Sequence, residues 1–120
     1  MKRRTLPRHM RLTREGDFKA VYQARHSAAD ARLILYTRPN GLGDSRLGLS
    51  VGGRWGNSVL RNRFRRLCRE AFRLSRHELP AGYDYIVIPR RTIDLSLDEL
   101  TESLRKLTSE LSQDSAQRHG

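Results

Sequence analysis

An α+β fold is what this sequence predicts, and three observations carry the prediction. Strand-forming residues alternate over 32–37 and 46–51, and a third apolar run covers 83–88. In three other segments apolar residues recur at steps of three and four, the pattern of amphipathic helices. At 120 residues the chain fits one domain, and its 37% apolar fraction is gathered into these periodic stretches, enough for one modest core.

Residues 1–12 hold Lys2, Arg3, Arg4, Arg8 and Arg11 with no acid, and read as a flexible basic arm before a domain spanning 13–112. Thr13 is the expected N-cap of a first helix running to about Ala24, with Glu15 and Asp17 favourably placed in its first turn. Phe18, Val21 and Tyr22 share one side of it. Residues 26–30 fit either a short edge strand or a turn. Pro39-Asn40-Gly41-Leu42-Gly43-Asp44 is a strong loop signal, so the strands on either side are expected to form a hairpin. Gly52-Gly53-Arg54-Trp55-Gly56 breaks the second of those strands, and Asn57 or Ser58 is positioned to cap a second helix. Pro80-Ala81-Gly82 follows that helix and leads into the run at 83–88. The strand at 46–51 reaches this last one through a helix, which predicts a parallel pair. Ser96-Leu97-Asp98-Glu99 is a capping box, and Leu97, Leu100, Leu104, Leu107 and Leu111 then mark a final helix. Residues 113–120 are polar and expected to form a disordered tail.

The second helix carries the most information. With about 100° between successive residues, Arg61, Arg65, Arg69, Arg73 and Arg76 fall within an arc of roughly 120°, and Arg66 lies beside it. Leu60, Phe64, Leu67, Cys68 and Ala71 crowd the opposite side. Glu70 is the one carboxylate in the run. Six arginines on one side, joined by Arg54 just upstream, form a face suited to phosphates, because a guanidinium fork gives bidentate hydrogen bonds and does not deprotonate. Asn62, on the arginine side, can both donate and accept, which suits a base edge or a sugar hydroxyl. Arg63 lies off the main arc, toward the core boundary, where it either buttresses the loop or reaches a separate anion.

Composition points the same way. The net charge is +11, and all but Lys2, Lys19 and Lys106 of the 24 basic residues are arginine. Such a field draws nucleic acid or an anionic surface. No apolar run approaches the roughly 20 residues that span a bilayer, and the basic N-terminus lacks the apolar middle of a secretory signal. One cysteine cannot form an internal disulfide, which fits a reducing cytoplasm. The chemistry of an enzyme of its own is missing. His9, His26, His77 and His119 are scattered without metal-ligand spacing, Cys68 sits on an apolar face without an evident base, and the glycines at 52, 53 and 56 lack the Lys-Ser/Thr ending of a phosphate-binding loop. Asp84 and Asp94 flank the last strand without forming a convincing pair. Catalytic and metal residues are therefore expected to be none. Phe18, Tyr22 and Tyr36 form a second constellation, open to two interpretations from spacing alone: core and rim packing, or a groove in which bases stack.

Taken in order, Asp17-Phe18-x-x-Val21-Tyr22, Leu35-Tyr36-Thr37, Leu47-Gly48-Leu49-Ser50-Val51, Gly56-Asn57-Ser58-Val59-Leu60-Arg61-Asn62-Arg63-x-Arg65-Arg66-x-x-Arg69 and Asp84-Tyr85-Ile86-Val87-Ile88 closely resemble the protein subunit of bacterial ribonuclease P. The resemblance covers about residues 11–111. It implies a two-layer α/β sandwich with a mixed, four-stranded sheet in the order α-β-β-β-α-β-α, the basic helix lying in a β-α-β crossover of unusual left hand. It implies that catalysis belongs to an RNA subunit, that Mg²⁺ acts through that RNA, and that the protein promotes removal of the 5′ leader from precursor tRNA. Arg54, Arg61, Asn62, Arg63, Arg65, Arg66 and Arg69 would then face the catalytic RNA, and Phe18, Tyr22 and Tyr36 would line a cleft for the single-stranded leader. Membranes are not an expected partner, and the resemblance leaves protein oligomerisation open. The chain departs from the family at Gly52-Gly53-Arg54-Trp55, where a pair of basic residues is usual and only Arg54 remains. Two other functions compete: a non-catalytic ribosome-associated RNA-binding protein, and a DNA-binding module with the arginine helix in a major groove.

Overall fold

A computed structural model describes residues 5–119. Seven main elements follow one another: α1 (Glu15–Gln23), β1 (Ser27–Ala29), β2 (Leu33–Pro39), β3 (Arg46–Leu49), α2 (Ser58–Ser75), β4 (Tyr83–Pro89) and α3 (Leu97–His119). Single 3₁₀ turns occupy Arg8–Met10 and Gly53–Trp55. The order of helices and strands is the predicted one.

The sheet runs β1-β2-β4-β3, with β1–β2 and β2–β4 antiparallel and β4–β3 parallel. The expected hairpin between β2 and β3 does not form, because β4 lies between them. β4 is the most continuously apolar strand, and such a strand is best covered on both faces and paired along both edges. The loop at 40–45 is held instead by the segment that leads into β4: Asn40 N–H donates to Gly82 O (2.9 Å), and Ser45 Oγ donates to Pro80 O (2.9 Å).

Alternation along the strands sorts the side chains into two layers. Leu33, Leu35, Leu47, Tyr85 and Val87 meet Phe64, Cys68, Ala71 and Phe72 of α2 and Leu100, Leu104, Leu107 and Leu111 of α3 in the main core. Phe72 and Tyr85 cross edge to face at 6.3 Å. On the other face α1 covers part of the sheet, where Leu12, Val21 and Ile86 form a smaller cluster. Phe72 takes the core place expected of Leu60, which lies in the first turn of α2 and is 49% exposed.

The helix ends follow local chemistry. The Asn57 side chain accepts from Leu60 N–H at 3.0 Å and caps α2. The capping box is closed in both directions: Glu99 N–H donates to Ser96 Oγ (3.1 Å) and Ser96 N–H to Glu99 Oε1 (3.0 Å). Thr13 does not cap α1; the N-cap is Arg14, without a side-chain hydrogen bond.

Two boundaries differ from expectation. Residues 1–4 of the expected arm lie outside the described residues, but 5–12 are docked. Leu6, Met10 and Leu12 are 2%, 3% and 4% exposed, Arg11 pairs with Leu47 in a parallel bridge, and Leu12 N–H donates to Leu47 O at 2.8 Å. Three apolar anchors between the arginines outweigh the basic character of the segment. At the other end the backbone of α3 continues to His119, because nothing between 113 and 119 breaks a helix and Gln, Ala and Arg favour one.

Docking of the N-terminal segment predicts that Leu6→Ala lowers the unfolding free energy by about 2–5 kcal/mol in urea denaturation, as for other buried leucines. A change within about 0.5 kcal/mol, the usual range for surface substitutions, would return the segment to a free arm.

Candidate nucleic-acid interface

α2 forms because its apolar residues repeat at helical spacing and Asn57 closes its start. The same period directs its arginines away from the core. Arg61 donates from Nε to Gly56 O (3.1 Å), and Arg65 donates to Asn62 Oδ1 and to Val51 O, both at 3.1 Å. These bonds go to neutral acceptors, so they fix the guanidinium groups without cancelling their charge. Among the described residues no carboxylate lies within ion-pair distance of Arg61, Arg65, Arg66 or Arg69. Among the described residues α2 takes part in an Arg73–Glu70 ion pair and a loose Arg63–Asp94 contact at 3.8 Å. Arg73 thus leaves the phosphate-facing set, neutralised one turn from Glu70. Arg76 donates to Met10 Sδ at 3.5 Å and holds the N-terminal segment against the end of the helix.

Arg69 is half-buried, and its pKa is lowered from the ordinary arginine value, first by burial and then by the nearby charges of Arg11 and Arg65. It remains protonated, but a local crowd of cations is stabilised by an anion. Arg54 lies over the Trp55 ring, 5.0 Å from its centroid, and Trp55 packs against the edge of the main core. Gly56 (φ 132°) lies where a side chain would be strained, and a Cβ there would stand 3.2 Å from Leu60 Cδ1. Cys68 is buried, and burial pushes its thiol far above the ordinary range, as for a small core residue rather than a nucleophile.

The aromatic residues come together on the opposite face. Phe18, Tyr22 and Tyr36 are half-buried around the smaller cluster, and Tyr22 and Tyr36 meet edge to face at 5.1 Å. Phe18 lies over Gly48, where a Cβ would stand 2.8 Å from Phe18 Cζ. The missing side chain lets α1 sink toward the sheet while leaving ring surface open beside it.

One feature of this face was not foreseen from the sequence. Arg38, Asp84 and Arg46 stand in one cross-strand row on β2, β4 and β3. Asp84 is fully buried and accepts from Arg46 Nε (2.8 Å) and Nη2 (2.7 Å) and from Asn40 Nδ2 (3.0 Å), with Arg38 at 3.5 Å. Arg46 also approaches Asp17 of α1 at 3.6 Å, which ties the helix to the sheet beside Phe18. The Asp84 side-chain bond is the main cause of the raised pKa of Arg46. Asp84 and Asp94 do not pair with each other; Asp94 is an exposed loop residue.

A family model described as Ribonuclease P matches residues 6–112. The ribonuclease P protein component of Vibrio cholerae is 41% identical over 110 residues, covering 90% of this chain and 92% of that protein. That of Alkaliphilus oremlandii is 36% identical over 102 residues, covering 84% and 90%. Among solved structures, the RNase P protein from Thermotoga maritima superposes with a TM-score of 0.76 at 30% identity, covering 83% of this chain and 96% of that one. The Staphylococcus aureus RNase P protein gives 0.73 at 31%, covering 86% and 94%.

The buried carboxylate predicts a large asymmetry between the two aspartates. Asp84→Ala, which strands Arg46 beside an empty site, lowers stability by about 3–5 kcal/mol, whereas Asp94→Ala stays within about 0.5 kcal/mol. Urea denaturation of both variants measures this, and equal effects would contradict it.

Proposed function

This chain belongs to the ribonuclease P protein family, and from that membership we propose that it binds the catalytic RNA through α2 and the 5′ leader of precursor tRNA through the aromatic cleft, promoting removal of the leader. The observation that carries the proposal is the division of α2 into a buried face and an arginine face on which Arg61, Arg65, Arg66 and Arg69 have no carboxylate partner among the described residues. An RNA backbone supplies the missing anions. Arg54 and Asn62 extend the face at its start, and Arg63 reaches toward the loop at Asp94. The cleft offers Phe18, Tyr22 and Tyr36 as half-buried rings, and stacking suits a single strand because every base has a π-face.

In this account the protein contributes charge and position, and the cutting is done by the RNA. Among the described residues no group of three or more His, Cys, Asp or Glu converges to hold a metal ion. The metal ion is assigned to the RNA subunit. No helix among the described residues is long and apolar enough to cross a membrane. A cytoplasmic ribonucleoprotein is the proposed setting.

Reconstitution with the cognate catalytic RNA tests the proposal. The protein should lower the Mg²⁺ requirement and tighten binding of leader-containing precursor tRNA; if it does neither, the proposed function fails. In the same assay Phe18→Ala should weaken leader-containing substrate by roughly tenfold, the scale of one lost base stack, and leave mature tRNA unchanged. Equal losses for both, with a lowered melting temperature, would make Phe18 a packing residue only. Changing Arg65 and Arg69 together to alanine should reduce the slope of log affinity against log salt by about 2, one for each lost phosphate contact. An unchanged slope would place the phosphate contacts elsewhere.

A further inference from the structure

The N-terminal segment and α2 enclose a groove of about 580 Å³ on the arginine side of the molecule. Its apolar lining comes from Leu6, which is buried, and Leu67, which is half-buried. Arg11, Arg63, Arg66 and Arg69 surround it, and Glu70 contributes a carboxylate that is shared with Arg73. Arg11 is held in place by its Nε donating to Leu6 O at 3.0 Å, close enough for its charge to act on Arg69.

A surface that meets only phosphates needs charge and no enclosure. This groove has both an apolar lining and a volume within the range of sites for small organic ligands, far more than a phosphate occupies. We infer that it is a nucleotide site, with a phosphate between Arg11 and Arg69 and an unstacked base against Leu67. The inference rests on the proposed function for its RNA source but not for its chemistry. Planar guanidinium groups at Arg63 and Arg66 suit the face of such a base, as they suit the phosphate beside it. The mutual repulsion of Arg11, Arg65 and Arg69 is relieved when an anion enters between them. The groove exists only because residues 5–12 dock on the fold, which explains why the helix pattern alone did not reveal it.

Nuclear magnetic resonance on the full chain with labelled leucine methyl groups tests this, using AMP and inorganic phosphate as separate probes. AMP should shift the Leu67 methyl signals and bind at least about tenfold more tightly than phosphate. Arg11→Ala and the exposed-site variant Arg66→Ala should each weaken AMP several-fold, while Arg105→Ala on α3 should not. Equal affinity for AMP and phosphate without leucine shifts would reduce the groove to a phosphate patch and overturn the inference, as would AMP shifts confined to the α1 cleft. Repeating the titration on protein assembled with the catalytic RNA separates the sources. Loss of AMP binding there identifies a nucleotide of the RNA as the occupant, and retained binding identifies a free nucleotide. Failure to assemble at all would count against the proposed function and leave the AMP result standing.

Discussion

Burial of β4 on both faces is the constraint from which the rest of the molecule follows. Tyr85 and Val87 point into the main core, while Asp84 and Ile86 point to the α1 side, and all four are at most 2% exposed. A strand of this kind requires a partner along each edge and a cover on each face. β2 and β3 supply the edges, α2 and α3 one cover, and α1 with Leu12 the other. Because β3 and β4 run parallel, the chain must cross over the sheet between them, and α2 is that crossover. The arginine helix is therefore fixed by the demands of a strand that carries no positive charge.

This placement lets one helix serve two environments. Phe64, Cys68, Ala71 and Phe72 anchor α2 in the core, and their burial orients the arginines on the other side. Arg61 and Arg65 are already restrained by bonds to Gly56 O and Val51 O. Ordering those side chains in advance lowers the entropy lost when a polyanion binds. The half-buried Arg69 shows the opposite side of the same arrangement: cations are brought close enough to disfavour one another until an anion arrives. On the far face, the row from Arg38 through Asp84 to Arg46 anchors the strands beneath α1, and Asp17 connects that row to the helix carrying Phe18 and Tyr22.

Local patterns were the legible part of the sequence. The two faces of α2, the Asn57 cap, the reciprocal Ser96–Glu99 bonds and the leucines of α3 all depend on residues within a few positions of one another. The sheet order was not legible, because insertion of β4 between β2 and β3 is decided by long-range burial and not by the loop at 40–45, which reads as a hairpin turn. The role of Asp84 was not legible for a similar reason: its partners at 38, 40 and 46 come from two segments far from it in the chain. The docking of 5–12 escaped detection because Leu6, Met10 and Leu12 follow neither a helical nor a strand period. The pairing of Glu70 with Arg73 was within reach, as a spacing of three on a helix puts the two side by side. The site residues were legible as types and faces. Their assembly into a groove was not, since Thr5, Leu6 and Arg11 of its lining come from the segment expected to be free.

We propose that this fold serves as a platform for a particular catalytic RNA. Purifying the protein from cells under mild salt and sequencing the bound RNA tests it most directly. The expected result is enrichment of one structured catalytic RNA together with precursor tRNAs that retain their 5′ leaders. Recovery of ribosomal RNA in their place would contradict it.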